Sequence, residues 1–537
     1  MPESKARIRS HLWCGTGHVA AAAVLGCSAA ALHVACERKA SETTRPVAPA
    51  PAEPTPDHAT PPPRGQAPAE HVTDLIALGR TCIPELMESR AGAWLVVDFL
   101  EQYARVAGTD EPGKLADTLP HPASRMHAYD RLAVVASQSR SDESARDFFA
   151  RARRVLDDMS DDDPDVGKGF CVQRLVEAYA EIGDFETALT EVEGVGNHLL
   201  AVDILAHSIA PAQHKRGDTR GALHTLSLGL ERANKIFQKD TSDMARRMRH
   251  DSICKVIQER CKIGGLREAE RTIDGIIDLQ HRNMAIADVC RVVGGADCGR
   301  ALELAGTIAD PYSRVRAQCA VALVAARGAQ PEIAKAAAAA ARRSLNEVQG
   351  PGVERARGMV GEALTWGGDI AEGRAVLDSI PDTDYYVVSC FAAAAEGATL
   401  HGAGGPMWDE AVRRLAMVRD SSELSPARMS LASAMARSGM IDDATARGLQ
   451  ITDGGKESLG REIASAALRK GDTAAAVRGL KQLRVGSRGG WQEVGVALAR
   501  AGDYEQIKSL SQSLDSNWIR LELVTGALTA AAGQPQR

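Results

Sequence analysis

From residue 72 onward, apolar positions recur at helical spacing in short segments that end in glycine. One such segment reads Glu177-Ala178-Tyr179-Ala180-Glu181-Ile182-Gly183-Asp184-Phe185, and a small residue, Ala188, lies five places after its glycine. Related segments place glycines at positions 183, 217, 264, 295, 328, 368, 405, 439, 471 and 502, which span 319 residues in nine steps with a mean near 35. No stretch alternates apolar and polar residues long enough to predict a strand. The pattern predicts an all-α superhelical array, an α-solenoid, of about ten to twelve helix-turn-helix repeats.

The residues between the helices predict where helices end and begin. A glycine at the end of a segment favours the left-handed conformation that closes a helix, and a following aspartate such as Asp503 can cap the next one. Asp310-Pro311 and Ser425-Pro426 each place a capping side chain before proline, which predicts a helix start. The long step from 217 to 264 predicts an extended helix or an insertion, with a new start at Thr241-Ser242-Asp243.

The segment that ends at Gly502 carries a family resemblance. It has Trp491, Val494, Gly495 and Leu498 at 11, 8, 7 and 4 positions before the glycine, and Tyr504 two positions after it. This order of bulky, bulky, small and bulky residues before a Gly-Asp-aromatic turn resembles a tetratricopeptide repeat. The segment at Gly183 keeps the order except for the small residue, and the others keep less of it. The resemblance covers about residues 95 to 530. It implies stacked helical hairpins whose concave face binds a protein or peptide.

Composition agrees with a helical array. The 537 residues exceed one ordinary domain of ~100–200 residues, which a repeat array can accommodate. Hydrophobic residues make up 44% of the chain but aromatic residues only 4%, which favours closely packed helices over strands. The net charge is −6 and the isoelectric point about 6.2, so we expect no nucleic-acid partner.

The first 36 residues have the pattern of an export signal. Lys5, Arg7 and Arg9 precede an uncharged small-residue stretch, 15–26, and the sequence Val24-Leu25-Gly26-Cys27 resembles a bacterial lipobox. Cys27 is therefore the expected lipidation site. Three alternatives stay open: an uncleaved membrane anchor, secretion without lipidation, and a cytoplasmic protein whose first residues are apolar by chance.

A proline-rich segment follows this signal. Nine prolines occur between Pro46 and Pro68, a composition typical of an extended spacer. We therefore divide the chain into a signal peptide or anchor (1–36), a disordered linker (37–71), a repeat domain (72–533) and a short tail (534–537). An anchor followed by a spacer predicts an extracytoplasmic, membrane-anchored protein in the periplasm or cell envelope of a bacterium.

Motifs for common catalytic and metal sites are missing from the sequence. The chain has no phosphate-binding loop, no G-x-S-x-G and no H-E-x-x-H, and no two of its eight cysteines beyond the signal region have C-x-x-C spacing. We predict no catalytic residue, no cofactor and no metal site. Most of these cysteines are expected to pack between helices. Cys290 and Cys298, on either side of a predicted turn, form the one local pair to test for a disulfide.

Three arginines share one position in the repeat. Arg437, Arg469 and Arg500 each lie two residues before a turn glycine, where the tetratricopeptide resemblance implies the concave groove. Such a ladder would bind carboxylates of an acidic partner. An arginine in the last turn of a helix is also favoured by the helix dipole alone, so an ordinary solvated surface is the alternative.

Taken together, these observations predict a non-enzymatic interaction scaffold that binds a protein or peptide on its concave face. Two alternatives are an envelope or cell-wall-associated enzyme with a site formed across repeats, and a structural spacer. Buried acids or histidines that converge in the fold would favour the enzyme.

Overall fold

We describe a computed structural model of the chain. It describes residues 69–160, 168–238, 240, 242–276, 278–293, 297–381, 385–452, 455–485 and 489–533. Residues 66–537 form one compact unit. Within the described ranges the secondary structure is helical throughout and no residue lies in a strand, which confirms the all-α solenoid.

The helices of the described ranges pair as thirteen antiparallel hairpins in two layers. The inner layer consists of α2 (Arg90–Ala107), α4 (Pro122–Gln138), α6 (Lys168–Ile182), α8 (His198–Ile204) joined by a π-helical turn (Leu205–Ile209) to α9 (Ala210–Lys215), α11 (Asp243–Gly264), α13 (Leu279–Val289), α15 (Pro311–Arg327), α17 (Val353–Trp366), α19 (Tyr385–Leu400), α21 (Ser421–Arg437), α23 (Gly455–Arg469), α25 (Gly490–Arg500) and α27 (Asn517–Ala531).

The outer layer consists of shorter helices on average. They are α1 (Ala69–Leu86), α3 (Asp110–Asp117), α5 (Asp142–Asp158), α7 (Phe185–Glu193), α10 (Thr219–Lys235), α12 (Leu266–Asp274), α14 (Cys298–Gly306), α16 (Pro331–Leu345), α18 (Ile370–Asp378), α20 (Gly405–Leu415), α22 (Ile441–Leu449), α24 (Thr473–Gln482) and α26 (Tyr504–Ser513). A 3-10 turn, Gly350–Gly352, precedes α17.

The predicted turn chemistry is present at six of the ten predicted turns. The turn glycines there have φ between 75° and 91°, in the left-handed region: 183, 217, 368, 439, 471 and 502. Five of them are followed by an aspartate that caps the next helix, and Gly439 is followed by Met440, whose side chain makes no cap. Asp472, for example, accepts a hydrogen bond from the backbone N–H of Ala475 at 2.8 Å, and Asp503 accepts one from Gln506 at 3.1 Å. Each Gly-Asp pair therefore closes one helix and starts the next.

Other predicted boundaries are displaced. Gly265 and Gly402, rather than Gly264 and Gly405, have positive φ. α21 begins at Ser421, because Asp420 caps the backbone N–H of Ser422 at 2.8 Å, and Pro426 lies inside the helix rather than at its start. The expected start at Thr241-Ser242-Asp243 is confirmed, since Ser242 caps α11.

The array closes on itself. α27, the last described helix, packs against both α1 and α2 at the other end of the chain. α1 and α27 thereby form the thirteenth hairpin, the one whose two helices no turn connects. One apolar core runs through this junction and joins residues such as Leu75 and Phe99 to Leu521 and Leu528. Twelve of the described hairpins pair helices that are consecutive in the chain, in agreement with the predicted count of about ten to twelve helix-turn-helix repeats. The thirteenth is assembled from the two chain ends and has no turn to recognise.

Cysteines contribute to this packing. The eight that the structure describes are all buried and free of disulfides, including Cys290 and Cys298. The Cys290 thiol donates to the carbonyl of Ala301 at 3.6 Å. Burial raises the pKa of Cys290 to about 12, so its thiol stays protonated at neutral pH.

Among the helices of the described ranges, none is long and apolar enough to cross a bilayer. Cys27 and the rest of the predicted signal and linker up to residue 68 lie outside those ranges.

Candidate functional site

The inner layer is the concave side of the ring. Each inner-layer helix packs directly against the next around the whole ring, whereas successive outer-layer helices have few direct contacts. The layer whose helices are closer together must lie at the smaller radius. Side chains on the exposed side of the inner helices therefore face a shared central space.

A cleft of about 280 Å³ lies across three neighbouring inner helices, α2, α4 and α6. We call it the α2/α4/α6 cleft. Its lining is entirely polar or charged and consists of Asp98, Glu101, His127, Arg131, Arg174, Glu177 and Glu181. These side chains belong to three separate repeats, so only the stacked array brings them together.

A network of ion pairs forms the floor of this cleft. Glu101 of α2 accepts hydrogen bonds from Arg131 Nε and Nη2 of α4, both at 2.7 Å, and from Arg105 Nη2 at 2.7 Å. Arg131 also donates through Nη1 to Glu181 of α6 at 2.8 Å. Burial would raise the pKa of Glu101, but the hydrogen bonds and charges of Arg131 and Arg105 lower it to about 2. This carboxylate stays ionised and the network fixes the spacing of the three helices.

A histidine and a buried aspartate form the second feature of the cleft. His127 Nδ1 lies 3.0 Å from both carboxylate oxygens of Asp130, which is fully buried. Burial raises the pKa of the Asp130 carboxyl, and the neighbouring His127 opposes that shift. This contact engages Nδ1 and leaves Nε2 as the second ring nitrogen of His127, a residue that lines the cleft.

Aromatic side chains border the same cleft. The Trp94 ring lies 4.9 Å from the His127 ring and 5.6 Å, edge to face, from Phe170, measured between centroids. The Arg174 guanidinium carbon lies 4.9 Å from the Phe170 centroid and its Nη1 donates to Glu177 at 2.9 Å. Phe170 is 37% exposed, so an apolar edge adjoins the charged lining.

A second group of inner-layer charges lies near the C-terminal repeats. Burial raises the pKa of Glu362 in α17 to about 7; Arg327 opposes this shift, and Glu396 adds to it. Glu396 of α19 and Glu462 of α23 both pair with Arg437 of α21, at 2.9 and 2.7 Å. From α15 to α23 the charges on successive inner helices are therefore basic, acidic, acidic, basic and acidic, and Arg437 is the arginine with a carboxylate on both neighbouring helices.

The three arginines predicted to form a ladder have different surroundings. Arg437 is held between two carboxylates and is 39% exposed. Arg469 is exposed and donates to Ser465 Oγ at 3.1 Å. Arg500 is also exposed, at the end of α25.

The α2/α4/α6 cleft was not predicted from the sequence. One of its residues could have been recognised in the sequence. Glu181 lies two residues before Gly183, just as Arg437 lies two residues before Gly439. Comparing that position across all repeats would have shown acids as well as arginines. His127 and Asp130 gave no signal, since three-residue spacing of a histidine and an acid is common on helices. Groups of three or more side chains suited to hold a metal ion do not occur in the described ranges.

Comparisons with known proteins identify no family. No protein-family model and no curated protein matches the chain. Among solved structures, a circular tandem repeat protein with a novel repeat topology is 15% identical, with 86% of this chain and 99% of that chain covered and a TM-score of 0.21. The pentatricopeptide repeat protein PPR10 from maize is 11% identical, with coverage of 79% and 68% and a TM-score of 0.25. The APC/C hetero-tetramer Cut9-Hcn1 is 14% identical, with coverage of 82% and 89% and a TM-score of 0.22. Since these scores are well below 0.5, the assignment as a tetratricopeptide-like α-solenoid depends on the chain's own hairpins and turns.

Proposed function

We propose that the protein is a non-enzymatic interaction scaffold that binds a segment of a partner protein on the inner face of the ring. The observation that supports this proposal is that charged side chains from neighbouring repeats come together at two places on the inner layer, the α2/α4/α6 cleft and the group around Arg437. Such an arrangement offers separate contacts along an extended segment and suits recognition of a chain better than transformation of a small molecule.

We further propose that an acidic part of the partner contacts Arg469 and Arg500. Both side chains are exposed, and neither makes a hydrogen bond to a carboxylate within the described part of the chain. Arg437 would have to exchange Glu396 or Glu462 for the partner's carboxylate, so its contribution to affinity should be smaller.

Affinity capture with the full chain tests this proposal. Partners recovered from cell envelopes are identified by mass spectrometry and then compared for wild type and Arg469→Ala/Arg500→Ala. We expect the double variant to lose the partner, and capture to weaken with salt, because exposed charges are screened over ~10 Å at 0.1 M. Arg343→Ala/Arg447→Ala, on outer helices α16 and α22, is the matched control. Equal recovery with all three proteins would contradict the arginine contacts.

The proposed position of the scaffold is outside the cytoplasmic membrane, held by lipidated Cys27 and the proline-rich linker. Cys27→Ser should then leave an uncleaved precursor or move the protein from the detergent phase to the aqueous phase. Cys36→Ser, nine residues on, is the control and should change neither mass nor partitioning. If only Cys36→Ser has an effect, the anchor is at the second cysteine.

One observation supports the alternative of an enzyme with a site formed across repeats. Buried groups do converge: His127 and Glu101 line one cleft from two inner helices, and the buried Asp130 pairs with His127. A histidine whose Nδ1 is held by a carboxylate is a competent general base at Nε2. Hydrolytic activity on envelope polymers that is lost in His127→Ala but retained in Arg469→Ala/Arg500→Ala would favour the enzyme.

A further inference from the structure

Two histidine rings stack at the junction between the inner helices α11 and α13. The ring of His250 in α11 and the ring of His281 in α13 lie 4.4 Å apart between centroids and 19° from parallel. His250 is 4% exposed, whereas the side chain of His281 is 29% exposed. The stack therefore belongs to the contact between the two helices, and His250 is its buried member.

The two rings have different partners. His281 Nδ1 lies 3.3 Å from Asp278 Oδ1, so a carboxylate adjoins this ring. His250 Nε2 lies 3.2 Å from Cys254 Sγ, one turn further along α11. Burial raises the pKa of the Cys254 thiol, so the sulfur carries no negative charge at neutral or acid pH. A proton on His281 would therefore be offset by the adjoining carboxylate, whereas a proton on His250 would not be offset by its thiol neighbour.

The carboxylates around His250 are engaged elsewhere or exposed. Asp288 of α13 accepts a hydrogen bond from Arg316 of α15 at 2.6 Å and also pairs with Arg291. Asp251, the next residue in α11, is exposed, so water and salt screen its charge. Several charged side chains of the other elements packed against α11 are engaged too: Asp203 of α8 pairs with Lys255, Asp274 of α12 with Arg282 and His207 of the π-helical turn with Glu259, and Arg232 of α10 donates to the carbonyl of Glu193.

The pKa of His250 reflects these surroundings. Burial lowers it, the neighbouring His281 lowers it further, and Asp251, Asp288 and Asp278 oppose the shift without cancelling it. A buried imidazole with a lowered pKa favours the closed contact while it is neutral. That contribution is fully present above the ordinary pKa of 6.5 and is lost as pH falls below it.

We propose that the α11/α13 junction is an acid-sensitive joint of the ring, closed while His250 is neutral and loosened when His250 is protonated. Two positive rings stacked 4.4 Å apart repel each other, and separation of the helices lets water solvate the buried one. Histidine is the side chain whose charge changes between about pH 5 and pH 8, so mild acidification is sufficient. This inference concerns a contact between helices and does not rest on the scaffold proposal.

Cys254 is a built-in reporter of the joint, because it is 4% exposed and lies beside His250. The full chain is treated with dithiodipyridine between about pH 7.5 and pH 5, and modification of each cysteine is quantified by mass spectrometry. The rate at Cys254 is divided by the rate at Cys390 in α19, which is 6% exposed, so that the general effect of pH on thiols cancels. We expect this ratio to rise severalfold towards pH 5. The limit is about 30-fold, for a histidine of ordinary pKa that is protonated only when the joint is open.

Three variants assign the effect to the stacked rings. His250→Gln keeps a polar side chain beside Cys254 and removes the charge, so the ratio should no longer depend on pH. His281→Phe keeps a stacked ring and removes the second charge, so the rise should be smaller than in wild type. His224→Gln, at an exposed histidine of the neighbouring outer helix α10, is the control and should behave as wild type. Circular dichroism and thermal melting near pH 7.5 establish that all three fold.

Three results would overturn the proposal. The first is a ratio in wild type that stays constant down to about pH 5. The second is an equal rise in wild type, His250→Gln and His281→Phe, which would assign acid loosening to other groups. The third is that all the buried cysteines become reactive together, which would mean that the ring unfolds as a whole and has no separate joint at α11 and α13.

Discussion

Lys508 Nζ lies 2.6 Å from Asp74 Oδ2, and this ion pair joins α26 to α1, outer helices from opposite ends of the chain. The same kind of contact links other neighbouring outer helices. Arg300 pairs with Glu270 at 2.9 Å, and Arg342 pairs with Glu372 at 2.9 Å. The junction between the chain ends is therefore built like any other junction between repeats. The difference is that the chain does not run on from the last repeat to the first.

The stability of this junction should come from apolar burial and not from its ion pair. Asp74 and Lys508 are substantially exposed, and solvent-exposed ion pairs contribute little to stability. Leu75, beside Asp74, is 2% exposed, and truncation of a buried leucine costs ~2–5 kcal/mol. We expect Leu75→Ala to remove most hydrogen-exchange protection from α1, and Asp74→Ala to change it little. Equal loss in both variants would mean that the ion pair holds the ring closed.

A second prediction concerns two glycines at the α25–α27 contact. A Cβ at Gly526 would lie 2.0 Å from the carbonyl oxygen of Gln492, and one at Gly495 would lie 2.1 Å from that of Leu523. Both obstacles are backbone atoms, so the helices would have to separate. Gly526→Ala and Gly495→Ala should each lower the melting temperature.

The control for these variants is Gly299→Ala in α14. Its Cβ would meet nothing within 4 Å, and alanine is favoured over glycine in a helix by ~1 kcal/mol. Stability should therefore be unchanged or slightly increased. If all three alanine variants melt alike, α25 and α27 are not packed as closely as described.

Glu362 predicts a particular pH dependence of stability. Burial raises the pKa of Glu362 from 4.5 to about 7; Glu396 adds to this shift, and Arg327 and Arg437 oppose it. A carboxyl with a raised pKa in the folded state favours folding while it is protonated, so its contribution is lost as pH rises from about 4.5 through 7. The shift corresponds to at most ~3 kcal/mol, and partial exposure of the side chain reduces that figure.

Glu362→Gln should accordingly flatten the fall in melting temperature between about pH 5 and pH 8, and be the more stable protein at the upper end. Glu303→Gln is the control, because Glu303 is a 69% exposed carboxylate on outer helix α14. Parallel melting curves for wild type and Glu362→Gln would show that this group does not titrate in the range.

The architecture was predictable because each hairpin carries local signals. Gly502 has the positive φ that closes α25, Asp503 caps α26, and Gly495 is the small residue at a close helix contact, all as the tetratricopeptide resemblance implies. Such features involve residues within about ten positions of one another, so they can be recognised in the sequence. Ring closure leaves no such local pattern, because Leu75 and Leu528 join the same apolar core only if the curvature of all the repeats adds up to a full turn.

The candidate site was less predictable for a related reason. Arg131 contacts Glu101, which lies 30 residues before it, and Glu181, which lies 50 residues after it. Both pairings depend on the register between stacked helices. The sequence indicated the inner-layer position of Arg437 but could not show that Glu396 and Glu462 lie on either side of it. A charge on a repeat is visible in the sequence, whereas its neutralisation by the adjacent repeats is not.

That difference leads to a last prediction, which separates structural from available arginines. Burial lowers the pKa of Arg437 and the two carboxylates raise it, with a net shift upward, so the guanidinium is firmly held in the folded state. Arg437→Met leaves Glu396, whose side chain is only 14% exposed, without its counter-ion, and an unpaired carboxylate of such low exposure is destabilising. Arg500→Met removes an exposed side chain and should change the free energy of unfolding by no more than ~0.5 kcal/mol.

Thermal melts of the two variants, with Glu396→Gln added to Arg437→Met to relieve the unpaired charge, would measure the difference. We expect Arg437→Met to melt well below wild type and the added Glu396→Gln to recover part of the loss. If Arg437→Met and Arg500→Met melt together, Arg437 is as available to a partner as Arg500, and all three arginines form a binding ladder.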